Sequence, residues 1–357
     1  MVKKKDLCIL HIGMPKTGTS TIQENFFKKV EDKRVKYTEL GCSNQSGHLY
    51  GLFLEDVENY HFFKQQNFTL TDIERFRTNT KKKLEQNFLN DSHSIYILSG
   101  EDLYHSQTNA IIQMKEYLDI FFRKILVVAY VRPAYPFCNS AFQQMVKYPD
   151  NGSFNPNLIY HKYKNIERYD KVYGNENVKV IPFIPSGFMD NDIIADFCHH
   201  TGIKKQYSTI KVANEAISKA AVSILFTFNF HKNVTTDYGY KNYQIHYRIV
   251  EKLSSISGEK FKFAGSLIQS WIDDYYKEDY QWVLDRIPQG LSNDFLIDTK
   301  EEGVQSEIEL MNYATNYIDE LSSMVSSKFI DFSLSKHPQT VARLVNAMRK
   351  QIASEMK

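Results

Sequence analysis

The sequence predicts an α/β fold of three layers, with a mostly parallel central sheet between flanking helices and a helical C-terminal part. Three observations predict it. Short apolar runs at residues 8–12, 95–98, 125–131 and 178–183 read as strands, and the unalternating run at 125–131 as one covered on both faces. Stretches with helical spacing separate these runs, which is the pattern of βαβ units. Beyond about residue 214 the strand signals fade and amphipathic stretches remain.

In chain order, the run CILHI (8–12) precedes a Gly-containing turn, and Ile22, Phe26 and Val30 then recur at helical spacing. Thr71 and Glu74 fit a capping box opening a helix over 71–89, with Ile73, Phe76, Leu84 and Phe88 on one face. After IYIL (95–98) a helix is expected around 111–122. The run ILVVAYV (125–131) is the strongest strand signal. A helix carrying Ser140 follows, entered through Pro133 and Pro136. Residues 158–173 read as a helix with Gly174 placed to end it, and VKVIPF (178–183) as another strand. Near the C-terminus one helix carries Ile308, Met311, Ile318 and Leu321, and a last one Val341, Leu344, Val345, Met348 and Ile352. Arg343, Arg349 and Lys350 on the last helix allow a peripheral membrane contact, but a packed terminal helix with a solvated face is the plainer reading.

Basic and acidic side chains nearly balance, 44 against 42, so no global positive field points to nucleic acid. Cys8, Cys42, Cys138 and Cys198 form no CxxC pair, which argues against a zinc site or a disulfide framework and for a reducing, cytoplasmic setting. The apolar run after Lys5 covers only residues 7–10. A signal h-region needs about 7–15 apolar residues and a spanning helix about 20, so neither is expected.

The segment His11-Ile12-Gly13-Met14-Pro15-Lys16-Thr17-Gly18-Thr19-Ser20-Thr21 joins the first strand to the first helix. Helix N-termini present unpaired amides and partial positive charge, and a glycine turn lets an anion approach them. Thr17, Thr19, Ser20 and Thr21 offer hydroxyls and Lys16 a full charge. A Walker loop places lysine after the second glycine, whereas here Thr19 follows Gly18 and Lys16 lies inside the turn. The order PKTGTST on strand, turn and helix resembles the 5′-phosphosulfate loop of sulfotransferases that use 3′-phosphoadenosine-5′-phosphosulfate (PAPS). That resemblance implies a P-loop-like sulfotransferase fold. It also implies cofactor contacts from Pro15, Lys16, Thr17, Gly18, Thr19, Ser20 and Thr21.

Arg132 ends the strongest strand, where ligands of open α/β sheets bind, and Ser140 comes eight positions later. Guanidinium groups bind phosphate in a bidentate way that lysine does not reproduce. The pair looks like the 3′-phosphate motif of the same family. A weaker match is the run Ala213-Asn214-Glu215-Ala216-Ile217-Ser218, which reads equally well as a helix start. The resemblance covers roughly residues 7–218. It divides the chain into a PAPS-binding core at 1–218 and a mainly helical part at 219–357, for acceptor binding or oligomerisation.

Sulfuryl transfer needs a cation at the leaving oxygen, donors to the sulfonate and a base for the acceptor proton. Lys16 suits the first role. For the base, Glu101 follows IYIL at the C-terminal edge of the sheet, and the resemblance implies a glutamate as one option, since many sulfotransferases acting on sugars use a glutamate base. His48, read as lying in a polar loop, is the other candidate. Asp102 is a further alternative, His105 and His11 are weaker, and His11 reads as structural. No metal is called for. The resemblance to bacterial enzymes of surface glycans makes a carbohydrate hydroxyl the expected acceptor, with an amine as the other option and adenosine 3′,5′-bisphosphate (PAP) as product. Two rival readings are a P-loop nucleoside or sugar kinase, drawing on ILSGED, and a non-catalytic nucleotide-binding protein, drawing on aromatic content and the cluster Tyr275, Tyr276, Tyr280 and Trp282.

Overall fold

The computed structural model describes residues 3–148, 152–210, 216–231 and 240–356, with 240–243 by backbone alone. Five parallel strands make one sheet in the order β2-β3-β1-β4-β5, namely β1 (Lys5–His11), β2 (Val35–Tyr37), β3 (Ile95–Ser99), β4 (Phe122–Val131) and β5 (Val178–Pro182). The expected α/β class and parallel sheet are what the chain forms. Cys8 to Leu10 and Val127 to Val131 have no exposed surface, which is why these runs do not alternate. β2 has only three residues among polar neighbours, too few for a periodicity to register.

Helix α1 (Thr19–Lys28) buries Ile22 and Phe26 against the sheet, and Val30 lies beyond its end. Helix α2 (Ser46–Phe53) follows β2. Helix α3 (Leu70–Asn90) starts upstream of the expected cap: Thr69 and Asp72 form the box, with each accepting the other's backbone N–H at 3.2 and 3.1 Å. The pair Thr71 and Glu74 is exposed in the first turns. Helix α4 (Thr108–Asp119) stops before Phe122, which opens β4 and does not close a helix as expected. Helix α5 (Ala134–Met145) carries Ser140. The expected helix over 158–173 is broken into Pro156–Ile159 and α6 (Lys164–Tyr173). The amides of Tyr163 and Lys164 donate to the Asp279 carboxylate at 2.9 and 2.8 Å, so α6 begins at a cap supplied from far along the chain. It ends at Gly174, at φ 83°. Helix α7 (Ile193–Thr201) starts at Asp192, which accepts from the Ile194 and Ala195 amides.

The chain forms two compact units that interleave along the sequence, whereas the expected division is a single cut after residue 218. The first unit comprises Met1–Pro133, Lys162–Ala213 and Glu278–Phe295 and contains the sheet. Its core includes Ile9, Ile22, Phe26, Ile97, Val128, Tyr130, Ile181 and Phe197. A smaller aromatic cluster of Tyr60, Phe63, Phe62 and Phe76 sits between α2 and α3.

The second unit comprises Ala134–His161, Asn214–Lys277 and Leu296–Lys357. It is helical, with two isolated bridges, Ser218 to Lys260 and Phe263 to Val304. The helix Lys219–His231 is buried from Ala220 to Asn229 and forms the centre of this unit. The last helix, Pro338–Glu355, buries Val341, Leu344, Val345, Met348 and Ile352, as the packed reading expects. The stretch through Ile308 and Leu321 is two short helices separated by a 3-10 turn at Thr315–Tyr317, and Ile308 is exposed. Tyr276 and Tyr280 are buried, and Tyr275 is exposed. Among the described residues, no helix is long and apolar enough to cross a membrane.

Candidate active site

The carboxyl ends of β1, β3 and β4 lie side by side, with His11 level with Ser99 on one neighbour and Val128 on the other. β1 is followed by a return across β3 to the β2 edge and β4 leads to β5, so the chain diverges between β1 and β4. Ligands of open parallel sheets bind at such a point.

The loop from Ile12 to Gly18 fills this position. Its backbone turns through positive φ at Gly13 (71°), Lys16 (64°) and Gly18 (74°). Both glycines take a positive φ that side-chain-bearing residues rarely adopt, and both are closely approached. A Cβ on Gly13 would lie 3.2 Å from the Glu101 Cα, and one on Gly18 would lie 2.4 Å from the Ile193 side chain. Lys16 adopts a left-handed conformation that few non-glycine residues take. The buried Thr17 hydroxyl donates to the Met14 carbonyl at 2.6 Å and closes the turn from within. Among the described residues, the amides of Gly13, Met14, Gly18, Thr19, Ser20 and Thr21 donate to no acceptor. Gly18 caps α1 without a side-chain bond. A run of unpaired amides at a helix start, curved by left-handed residues, is an anion cradle.

The hydroxyls expected around the cradle separate into two groups. Thr17 is buried and its hydroxyl donates to the Met14 carbonyl at 2.6 Å, so its proton is committed inside the loop, whereas the buried Thr19 hydroxyl lies 3.5 Å from both that carbonyl and the Thr17 oxygen. Ser20 is exposed and Thr21 partly so, and Pro15 and Lys16 are half-buried.

Arg132 follows β4. Its Nη1 donates to the Lys16 carbonyl at 3.2 Å and its guanidinium lies over the Phe183 ring, 5.8 Å from the centroid. Its own carbonyl accepts from the Tyr163 hydroxyl at 2.6 Å. Among the described residues Arg132 has no carboxylate partner. A strand-end arginine engaged in a surface ion pair is therefore not what is found. Ser140 lies on α5 in the second unit, and its assignment stays on sequence order alone. Asn214 lies outside the described residues.

Glu101 opens a short 3-10 helix, Glu101–His105, directly after β3, with its Cα and Cγ against Gly13. Burial, reinforced by the neighbouring Asp102 and opposed by the Lys16 charge, pushes its carboxyl up to about 6. The Lys16 and Glu101 side chains thus sense each other across the cradle. Asp102 is engaged elsewhere: it accepts from Tyr60 at 2.6 Å, and its amide donates to Ser46 at 3.0 Å.

His48 is on the first turn of α2, not in a loop as expected. Its ring packs on Phe76, centroids 4.9 Å apart, and its Nδ1 is 3.7 Å from the Cys42 sulfur. Burial and the Lys83 charge lower it to about 4, so it is neutral at pH 7. Among the described residues, none of its contacts reaches the cradle. His11 is structural, as expected. It is fully buried, paired to Ser99 at 2.8 Å, and lowered by burial to about 3. His105 is lowered by burial and sits at the far end of the 3-10 turn.

Sequence reasoning missed Phe183 and Ile193, which pack on Gly18, and the Gln45 staple. Gln45 exchanges bonds with Ser99 at 2.9 and 3.1 Å and holds the start of α2 against the end of β3. All of these join distant segments and leave no local pattern. Among the described residues there is no group of three or more His, Cys, Asp or Glu placed to hold a metal ion.

No protein-family model matches the chain, and neither does any curated protein. Among solved structures, a crystal structure of a sulfotransferase from Alicyclobacillus acidocaldarius matches 66% of this chain and 98% of its own, with 13% identity and a TM-score of 0.37. A likeness that low leaves function to the residues of the site.

Proposed function

We propose that the chain is a sulfotransferase that moves a sulfuryl group from PAPS to a hydroxyl or amine of an acceptor, with a carbohydrate as first candidate. One observation carries the reading. A cradle of unpaired amides with Lys16, and the carboxylate-free cation Arg132, flank the divergence between β1 and β4. Two such anion sites suit a nucleotide with phosphate at both its 5′ and 3′ ends. The residues fit that cosubstrate: the cradle and Lys16 would take the 5′-phosphosulfate and Arg132 the 3′-phosphate. The bound PAPS supplies an activated sulfuryl group, whose S–O bond to the 5′-phosphate breaks as the acceptor's O–S or N–S bond forms.

Lys16 offsets the charge that gathers on the departing phosphate. The amides at the start of α1 and the exposed Ser20 hydroxyl orient the sulfonate oxygens. Glu101 takes the acceptor proton. A carboxyl near 6 is ionised at pH 7 yet basic enough to accept a proton in the transition state. Its place against Gly13 favours it over His48, whose ring is held by Cys42 and Phe76.

The test is transfer or hydrolysis of radiolabelled PAPS. Lys16→Ala is expected to lower turnover at saturating PAPS by about 100-fold or more, with a smaller loss in PAP affinity. Unchanged turnover would remove Lys16 from the chemistry. A second reading, a nucleoside or sugar kinase, draws on the two acids, Glu101 and Asp102, beside the loop. It predicts magnesium-dependent ATP binding and no preference for a 3′-phosphate.

A further inference from the structure

Phe183 follows β5 and is partly buried, with no polar atom of its own to offer a ligand. Its surroundings are nonetheless the two anion-binding elements. The ring edge faces Gly18, so closely that a Cβ there would lie 3.1 Å from Cε2. The ring face lies under the Arg132 guanidinium, 5.8 Å from centroid to Cζ. The Phe183 amide donates to the Val131 carbonyl at 2.6 Å, which fixes the ring beside the residue before Arg132. Arg132 in turn donates to the Lys16 carbonyl, closing a circuit of Gly18, Phe183, Arg132 and Lys16. On its other side Phe183 packs edge-on against Phe188, with centroids 5.3 Å apart.

A half-buried arginine ordinarily acquires a carboxylate, and a carboxylate would compete with any incoming anion. Arg132 has none among the described residues. Its charge is accommodated by a peptide carbonyl and an aromatic face, both neutral, so its remaining N–H groups keep their capacity for a substrate anion.

We infer that Phe183 is a positioning residue that holds Arg132 by its ring face and presents it, charged and without a competing acid, to a substrate anion beside the cradle. The inference rests on the PAPS reading for the identity of that anion, but not for the hold on Arg132. Leucine at 183 keeps apolar contact with Gly18 and Ile193 and removes the ring face. Tyrosine restores the ring.

The experiment compares wild type, Phe183→Leu and Phe183→Tyr. Calorimetry measures PAP and AMP binding, and 15N-arginine NMR follows the Arg132 Nε–Hε signal, assigned through Arg132→Lys. In wild type and Phe183→Tyr that signal is expected to be shifted upfield by the ring, and in Phe183→Leu to lose the shift. Phe183→Leu is expected to lose about three- to thirty-fold in PAP affinity, the range of a cation–π contact, with AMP affinity held within about two-fold. Phe183→Tyr is expected to bind PAP like wild type. Equal losses for PAP and AMP in Phe183→Leu, no loss of PAP affinity, or an Arg132 signal indifferent to the ring would each overturn the inference. Wild type binding PAP and AMP alike would sink the nucleotide reading instead. An upfield Arg132 signal lost in Phe183→Leu would then still uphold the ring's hold on the guanidinium.

Discussion

Glu101 destabilises the fold whenever it is ionised, because the folded state binds its proton more tightly than the unfolded chain does. Its ordinary value is 4.5 and its folded value about 6. Stability contributed by this group is therefore present below about pH 4.5 and is lost as pH rises through 6. Glu101→Gln should raise stability at pH 7 by about 1–2 kcal/mol, with a gain that shrinks toward zero near pH 4. Urea unfolding at both pH values checks this, and an equal gain at both would mean that ionisation is not its source. The same variant should lose most of its turnover. With Glu101 as the proposed base, acting in its ionised form, wild-type turnover should rise with pH through about 6 and then level. A substitution that stabilises the fold and abolishes activity marks a group kept for chemistry. At this scale the sequence was informative about charge and uninformative about setting. Lys16 and Arg132 could be named from their order along the chain. That Thr17 turns its hydroxyl inward, or that Phe183 underlies Arg132, depends on contacts between distant segments.

The loop between β1 and α1 is the element on which the site depends. Gly18→Ala must place a methyl against the tip of the Ile193 side chain and 3.1 Å from the Phe183 ring at φ 74°, so it carries the conformational penalty plus the smaller cost of shifting these two side chains. The expected loss is about 2–4 kcal/mol, together with most of the anion affinity. Gly41→Ala is the control: φ is 91°, but nothing lies within 4 Å of the added carbon, so only the conformational cost of about 1–2 kcal/mol applies. Unfolding midpoints for the two variants separate these terms, and equal midpoints would contradict the tight packing at Gly18. The elements legible in the sequence were those whose signal is local and complete. β1, β3, β4 and β5 each carry a short buried apolar run, and the last helix shows a full apolar face. The start of α2 has no such signal, since Gln45 at its N-cap makes no side-chain bond to the helix, and this is why the sequence alone places His48 in a loop. The gap before α6 was invisible because its cap, Asp279, lies more than a hundred residues downstream.

At the scale of the molecule, the net charge of +2 supplies no long-range attraction for a nucleotide. In the proposed function, affinity comes from the few groups around the cradle and selectivity for the 3′-phosphate from Arg132. That makes nucleotide binding the most direct test of the whole account. The measurement is calorimetric titration of the protein, without magnesium, with PAP, AMP and ATP, repeated on Arg132→Ala. The account predicts that PAP binds tightest, that AMP binds more weakly, and that Arg132→Ala removes most of the difference between them. No binding of PAP, equal binding of PAP and AMP, or an ATP preference that appears only with magnesium would contradict it.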